Sequence, residues 1–130
     1  MKGYLTLDAG VLVALDRGDR ATEDTLTAFV TRGWLPLIPS VVVAEVWRSP
    51  RQVRLARVLG TSRVEALDDD TARDAGLLNA RAGRDDPVDA VVVVTAAARG
   101  GQLWTRDPDL HGLAGHLPPD GLPLAVRLDR

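Results

Sequence analysis

Four acidic side chains could together do chemistry, because each lies where a predicted strand gives way to a helix or in the helix that follows. They are Asp8, Glu45, Asp89 and Asp107. Carboxylates about 5 Å apart repel each other by roughly 3 kcal/mol per pair at an effective dielectric constant of about 20. Four of them in one pocket must take up protons or bind a cation. Oxygen ligands alone favour Mg²⁺ or Mn²⁺, and such an ion suits metal-assisted hydrolysis of a phosphodiester.

Residues 86–109 contain two of these acids and predict how they meet. Asp86, followed by proline, is predicted to cap a helix whose Val and Ala run over residues 88–98 is apolar nearly all round and therefore buried. A Gly-Gly pair ends this helix, and residues 102–105 form a short inner strand. A helix that packs back along the next strand begins at the carboxyl end of that strand. Asp89, in the first turn, and Asp107, just past the strand, are therefore expected at the same edge.

The rest of the chain alternates between predicted strands and helices. The other strands are predicted at residues 4–7, 35–38, 63–67 and 124–128, and the other helices at 11–16, 21–31, 41–48, 51–59, 71–82 and near Leu110. Ser40 is predicted to cap the helix that contains Glu45. This alternation predicts a single α/β domain over residues 1–130, a three-layer α/β/α fold with a mostly parallel central sheet. Ligands of such folds bind outside the carboxyl ends of the strands, where Asp8 and Glu45 also arrive.

Each acid also has a purely structural interpretation. Asp107 precedes a proline and could simply start a helix, Asp89 would suit a helix dipole, and Asp8 could cap the first helix. Glu45 is set among valines, where a carboxylate is costly to bury without a partner, unless its side forms a solvated stripe with Arg48. Arginines recur every third residue from Arg48 to position 57; they could hold RNA phosphates or form a solvated helix face.

Composition narrows the class of protein. The chain has 130 residues, of which 45% are hydrophobic and 26% charged, so a globular domain is expected rather than a disordered chain. It has no cysteine, no convincing secretory signal and no apolar run of membrane-spanning length, which predicts a cytoplasmic protein. The net charge is −2, and all basic residues but Lys2 are arginine. RNA binding is compatible with this charge if a metal masks the carboxylates.

Four segments carry a resemblance to a known family: LDAGVLVAL, PSVVVAEVW, DPVDAVVVVTAA and LWTRDPDL. In this order and at this chain length they resemble a PIN domain, most closely the VapC-type ribonuclease toxins of bacterial type II toxin–antitoxin systems. The resemblance implies a metal-dependent endoribonuclease that acts as a homodimer and is inhibited by a VapB-like antitoxin. It also implies that one or two Mg²⁺ or Mn²⁺ ions are held by four acids, Asp8, Glu45, Asp89 and Asp107.

One position departs from the family pattern. Many relatives carry Ser or Thr two residues after the first acid, where this chain has Gly10, whereas Thr105 matches the family's usual hydroxyl and could orient Asp107. The departure keeps open a catalytically decayed, PIN-like module that binds RNA or sequesters an antitoxin. A haloacid-dehalogenase-type phosphatase would need a second Asp at position 10, and a phosphotransfer receiver would need a Lys other than Lys2.

Overall fold

A computed structural model describes residues 1–129 of the chain. Its five strands form one sheet in the order β3-β2-β1-β4-β5, and every neighbouring pair is parallel. The strands are β1 (Gly3–Leu7), β2 (Trp34–Pro39), β3 (Arg63–Glu65), β4 (Gly101–Thr105) and β5 (Leu124–Leu128). The helices are α1 (Ala9–Asp16), α2 (Arg20–Thr31), α3 (Ser40–Val46), α4 (Val53–Gly60), α5 (Asp69–Ala82), α6 (Pro87–Arg99) and α7 (Pro108–Ala114).

The helices form two groups, one for each face of the sheet. Helix α1 contacts α2, α3 and α4, whereas α5, α6 and α7 contact one another. Helix α6 is the most deeply buried, because every residue from Ala90 to Ala96 is buried, as its nearly uniform apolar sequence predicts. Central strand β1 is covered on both sides, and its Leu5 and Leu7 are fully buried. The predicted three-layer α/β/α fold with a parallel sheet is confirmed.

The chain reverses direction across the sheet between its two most central strands. β1 is followed by α1 and leads on to β2 on one side, while β4 pairs with the other side of β1 and is followed by α7. The connections that leave β1 and β4 therefore diverge, and they leave a crevice at the carboxyl ends of these two strands. Leu7 pairs with Trp104, so Asp8 and Thr105 are the next residues on either side of this crevice.

The start of α3 differs from the prediction, and the start of β4 requires a glycine. Pro39, and not Ser40, precedes the first turn of α3, because the Ser40 hydroxyl is used elsewhere: it accepts a hydrogen bond of 3.2 Å from the Leu67 amide. Gly101 begins β4 with φ +83°, and a Cβ there would lie 2.4 Å from the Tyr4 carbonyl oxygen, so only glycine fits.

Within residues 1–129, each helix is too short or too polar to cross a lipid bilayer.

Candidate active site

Asp8 is a buried carboxylate at the end of β1. It is 6% exposed, its backbone amide donates to the Trp104 carbonyl (3.1 Å), and its Oδ2 accepts a hydrogen bond of 2.8 Å from the Thr105 hydroxyl. Burial raises the pKa of Asp8, and Asp107 and Asp86 raise it further, against the opposing hydrogen bonds from Ala9 and Thr105. The position of this carboxylate is fixed by hydrogen bonds, and its charged form is destabilised by burial. It is therefore suited to bind a cation or a proton.

Thr105 connects the acids of two neighbouring strands. Its hydroxyl donates to the Asp8 carboxylate and accepts a hydrogen bond of 2.9 Å from the Asp107 amide. The sequence left open whether Thr105 orients Asp107 or is an ordinary β-branched strand residue; its hydroxyl bonds to the backbone of Asp107 and to the side chain of Asp8. Asp107 in turn caps α7, where its Oδ1 accepts from the Asp109 amide at 2.9 Å.

The start of α6 brings two more carboxylates to the same edge. Asp86 is the N-cap, as predicted, and its Oδ1 accepts a hydrogen bond of 3.0 Å from the Asp89 amide. The pKa of Asp89 is raised to about 7, first by burial and then by Asp86, Asp107 and Asp8. Its environment therefore favours the protonated form unless a cation compensates its charge.

Arg84 is the cation nearest to Asp89. Its Nη2 lies 3.9 Å from Asp89 Oδ2 and 3.5 Å from Asp109 Oδ2, and it lowers the pKa of Asp89 without cancelling the effect of the acids. Sequence reasoning missed Arg84, because it lies in the loop between α5 and α6, where no helical spacing links it to an acid. It also missed Asn79 of α5, whose Nδ2 donates to the Asp86 carbonyl at 3.0 Å and so ties the capping loop to α5.

Glu45 approaches the group from α3. The residue is on the exposed side of the helix, the solvated alternative considered above, and Arg48 on the same side lowers its pKa. Partial desolvation nevertheless raises the pKa of Glu45, and Asp8 and Asp86 raise it further. Glu45 is therefore close enough to Asp8 to feel its charge, although α3 presents it at the rim and not in the crevice.

The four predicted acids lie on one edge of the sheet and are joined by Asp86. Asp86 raises the pKa of three of them, namely Asp8, Glu45 and Asp89. From the sequence, capping was the favoured role of Asp86. In the structure Asp86 caps α6 and also adds negative charge to the site. Across residues 1–129, no three carboxylate or imidazole side chains converge closely enough to enclose a metal ion as they stand. The acids at this edge thus interact through their charges, and the pKa values of Asp8 and Asp89 are both raised by burial and by neighbouring carboxylates.

Comparison with protein families decides which fold family this arrangement represents. The PIN domain family matches residues 5–115, which is most of the chain and includes all four acids. The chain belongs to the PIN domain family. PIN domains are generally nucleases and typically use divalent metal ions. No curated protein sequence gives a significant match to the chain.

Three solved structures share the fold. VapBC2 from Rickettsia felis, bound to a DNA fragment from its promoter, aligns with a TM-score of 0.69 at 16% identity over 95% of this chain and 98% of that one. A toxin–antitoxin complex from Klebsiella pneumoniae aligns with a TM-score of 0.66 at 22% identity over 79% and 86% of the two chains. FitAB bound to the IR36 DNA fragment aligns with a TM-score of 0.64 at 13% identity over 97% and 98%. At these identities the likeness concerns the fold.

Proposed function

We propose that this PIN domain is a VapC-like toxin, a Mg²⁺- or Mn²⁺-dependent endoribonuclease that cleaves RNA in the cytoplasm. We further propose that it works as a homodimer and is neutralised by a VapB-like antitoxin. The observation that carries the proposal is the meeting of acids from separate segments at the carboxyl ends of β1 and β4, where Thr105 bonds to both Asp8 and the Asp107 amide and the start of α6 brings in Asp89. Burial and the three neighbouring acids raise the pKa of Asp89 to about 7, and perturbed carboxyl groups in a crevice are typical of active sites.

The acids suit a hard divalent cation by donor type, although they would have to move closer together to enclose it. Their donors are all carboxylate oxygens, and Arg84, at 3.9 Å, is too distant and too much shared with Asp109 to neutralise Asp89. The ligands in this proposal are the four acids predicted from the sequence: Asp8, Glu45, Asp89 and Asp107. When bound there, the ion would supply a water of lowered pKa and charge compensation for the phosphate.

The protein's own contribution is orientation. The Thr105 hydroxyl holds Asp8, and the caps at α6 and α7 fix the turns that carry Asp89 and Asp107. Because Thr105 bonds to both strand ends, Asp8 and the backbone of Asp107 keep one relative position. Such preorganisation lowers the cost of gathering ligands and water around the scissile phosphate.

The proposed antitoxin partner is supported by the likeness of the fold to solved structures, and the proposed RNA substrate by the acidic edge and the arginines. The solved structures that share this fold include toxin–antitoxin complexes, among them VapBC2 from Rickettsia felis and FitAB. A PIN domain with this acidic edge and many arginines suits RNA as a substrate, since arginine binds phosphate in a bidentate manner.

The test is cleavage of RNA by purified protein. The wild-type protein should cut single-stranded RNA in Mg²⁺ or Mn²⁺ and stop cell growth when expressed without an antitoxin. Asp8→Asn should keep the fold and abolish both effects. Asp68→Asn is the control, because Asp68 is also an aspartate at the N-cap of a helix but is exposed and lies outside the acidic cluster. Equal cleavage by Asp8→Asn and wild type would refute the proposal.

A decayed PIN module is the second candidate, and Gly10 is the observation that favours it. Gly10 supplies no hydroxyl two residues after Asp8, and the side chain of Arg106 lies 3.5 Å from where a Cβ on Gly10 would be. This alternative predicts RNA binding without metal-dependent cleavage, and the same purified proteins distinguish the two.

A further inference from the structure

A cavity of about 500 Å³ runs beside α1, and its walls include two arginines. We call it the Arg106 groove; it is lined by Gly10, Val13, Ala14, Arg17, Asp19 and Arg106. Four of these residues share one face of α1, because they are three or four positions apart. The groove therefore follows the helix and is open along its length.

The Arg106 groove begins at the acidic edge. Gly10 lies two residues after Asp8, and Arg106 immediately precedes Asp107. From Gly10 to Arg17, α1 and its C-cap span about 10 Å, at a rise of about 1.5 Å per residue. A ligand that occupied the groove would therefore extend directly from the carboxylate cluster.

Arg106 packs beside Gly10 where the groove begins. A Cβ at Gly10 would lie 3.5 Å from Arg106 Cβ and 3.8 Å from its Cδ, which is ordinary contact distance, so the aliphatic part of Arg106 lies against α1 at this position. The stem of Arg106 therefore covers helix surface while the residue as a whole stays exposed to solvent. Arg17 and Arg106 are both exposed, and among residues 1–129 neither is within ion-pair distance of a carboxylate.

Asp19 is the single acid of the groove, and its carboxylate is already in use. Its Oδ2 accepts hydrogen bonds from the Thr22 amide and hydroxyl, at 3.1 and 2.5 Å, and so caps α2. These bonds, and more weakly Arg106, hold the pKa of Asp19 below its usual range. With one acid and two arginines, the groove keeps a net positive charge next to a strongly negative site.

We propose that the Arg106 groove binds the RNA backbone on one side of the scissile phosphate, with Arg106 and Arg17 contacting successive phosphates. This inference rests on the proposed nuclease function. The physical reason is that five carboxylates repel a polyanion, so a strand needs adjacent cations to reach them. The groove is open to solvent and has an arginine at each end of its helical wall, Arg106 beside Gly10 and Arg17 at the C-cap, so it suits an extended chain of phosphates.

The test measures RNA affinity where cleavage cannot consume the probe. In an Asp89→Asn background, a short fluorescent single-stranded RNA of random sequence should bind about fivefold more weakly to Arg106→Ala at low salt. The slope of log affinity against log salt should become shallower by about 0.7, the value for one lost phosphate contact on a single strand. Arg106→Lys should restore most of the slope. Arg32→Ala is the control, since Arg32 is an exposed arginine that ends α2, outside the groove.

Asp19→Asn gives the opposite change and excludes trivial damage to the fold. Asn also caps helices well, so α2 should keep its start, while the groove gains one unit of positive charge. We expect RNA affinity to rise about twofold to threefold, which misfolding could not produce. If Arg106→Ala and Asp19→Asn both bind RNA as the background protein does, the groove proposal is wrong.

The two proposals fail in different ways. If the wild-type protein cleaves RNA and Arg106→Ala leaves KM and its salt dependence unchanged, the groove is wrong and the nuclease stands. If the wild-type protein binds RNA without cleaving it, the nuclease proposal is wrong. The RNA affinities of the Arg106 and Asp19 variants then still show whether the groove binds RNA. If Arg106→Ala keeps its affinity for RNA but loses affinity for a protein antitoxin, the groove is a protein-binding surface and our assignment is overturned.

Discussion

The starts of α5 and α6 use the same capping geometry and have opposite electrostatics. Asp68 accepts a hydrogen bond of 2.8 Å from the amide of Thr71, and Asp86 accepts one of 3.0 Å from the amide of Asp89, each three residues along. The pKa of Asp68 is lowered by its bonds to Thr71, as is usual for a cap. The pKa of Asp89 is raised to about 7 by burial and neighbouring acids.

Position in the fold makes this difference. Helix α5 ends at Gly83, close to the start of α6, where Asn79 bonds to the Asp86 carbonyl. Asp68 therefore lies at the far end of a 14-residue helix, exposed to solvent, whereas Asp89 faces the carboxyl ends of β1 and β4. Both helices start at a capping aspartate, but only α6 also carries an acid in its first turn that faces the other carboxylates, and this Asp89 is a candidate ligand.

The largest expected difference between the two helix starts is in catalysis. Asp89→Asn should reduce RNA cleavage at least about 100-fold, because it removes a proposed metal ligand and its charge. Asp68→Asn should leave cleavage within about twofold, since asparagine replaces aspartate well as a cap. Initial cleavage rates at saturating Mn²⁺, with both variants checked for native circular dichroism, would measure this. Equal losses in the two variants would mean that the acidic edge is not special.

Binding of a divalent ion should separate the same two positions without any need for RNA. A ligand present at about 100 times its dissociation constant stabilises the folded state by about 2.7 kcal/mol, which is a rise of roughly 5–10 °C in melting temperature for a domain of this size. Millimolar Mn²⁺ should produce a rise of this order in the wild-type protein and in Asp68→Asn, but much less in Asp89→Asn. Flat melting curves in all three proteins would contradict a metal site.

The pH dependence of stability should have opposite signs at the two helix starts. Without divalent ions, folded Asp89 binds a proton up to about pH 7, whereas the unfolded chain releases it near pH 4. Because the folded state then holds more protons, this group makes stability fall as pH rises from about 4 to about 7. Asp89→Asn should therefore be more stable than wild type at pH 8, on the order of 2 kcal/mol, and similar to it near pH 4.

The control for this titration is Asp68, whose pKa is lowered in the folded state. Its contribution is present above about pH 4 and is lost as pH falls further, so Asp68→Asn should not reproduce the gain at pH 8. Urea unfolding in EDTA at pH 4, 6 and 8 measures both. A wild-type stability that does not decrease between pH 4 and 7 relative to Asp89→Asn would contradict the raised pKa.

The edge of the sheet at which the acids meet could be predicted from the sequence, because it depends on chain direction alone. A strand followed by a helix places Asp8 at a carboxyl end, and a buried helix that returns to a strand places Asp89 and Asp107 there too. Fold and edge therefore follow from apolar periodicity and helix punctuation, neither of which needs side-chain detail. Glu45 could be assigned to that edge, but the sequence left open whether it is buried among valines or lies on a solvated stripe with Arg48, because residues on every side of α3 are apolar.

Contacts between distant loops could not be predicted in this way. The pairing of Arg84 with Asp89 and Asp109, and the bond from Asn79 to the Asp86 carbonyl, depend on how the loop after α5 turns at Gly83. The packing of Arg106 on Gly10 depends on the gap between α1 and the end of β4. These contacts join residues that no helical or strand spacing relates, so the sequence pattern contains no signal for them.

The smallest expected effect comes from copying the α6 pattern onto α5. Thr71→Asp gives α5 the same Asp-x-x-Asp spacing that Asp86 and Asp89 have, and an acid in the first turn suits the helix dipole. Because Asp68 is exposed and far from the acidic edge, the new carboxylate should titrate as an ordinary aspartate, change the melting temperature by only about 2 °C and add no response to Mn²⁺. Melting curves with and without Mn²⁺, and carboxyl chemical shifts against pH, test this. A raised pKa or a new Mn²⁺ response at α5 would show that the paired acids alone make the site, and that the surrounding sheet edge is not required.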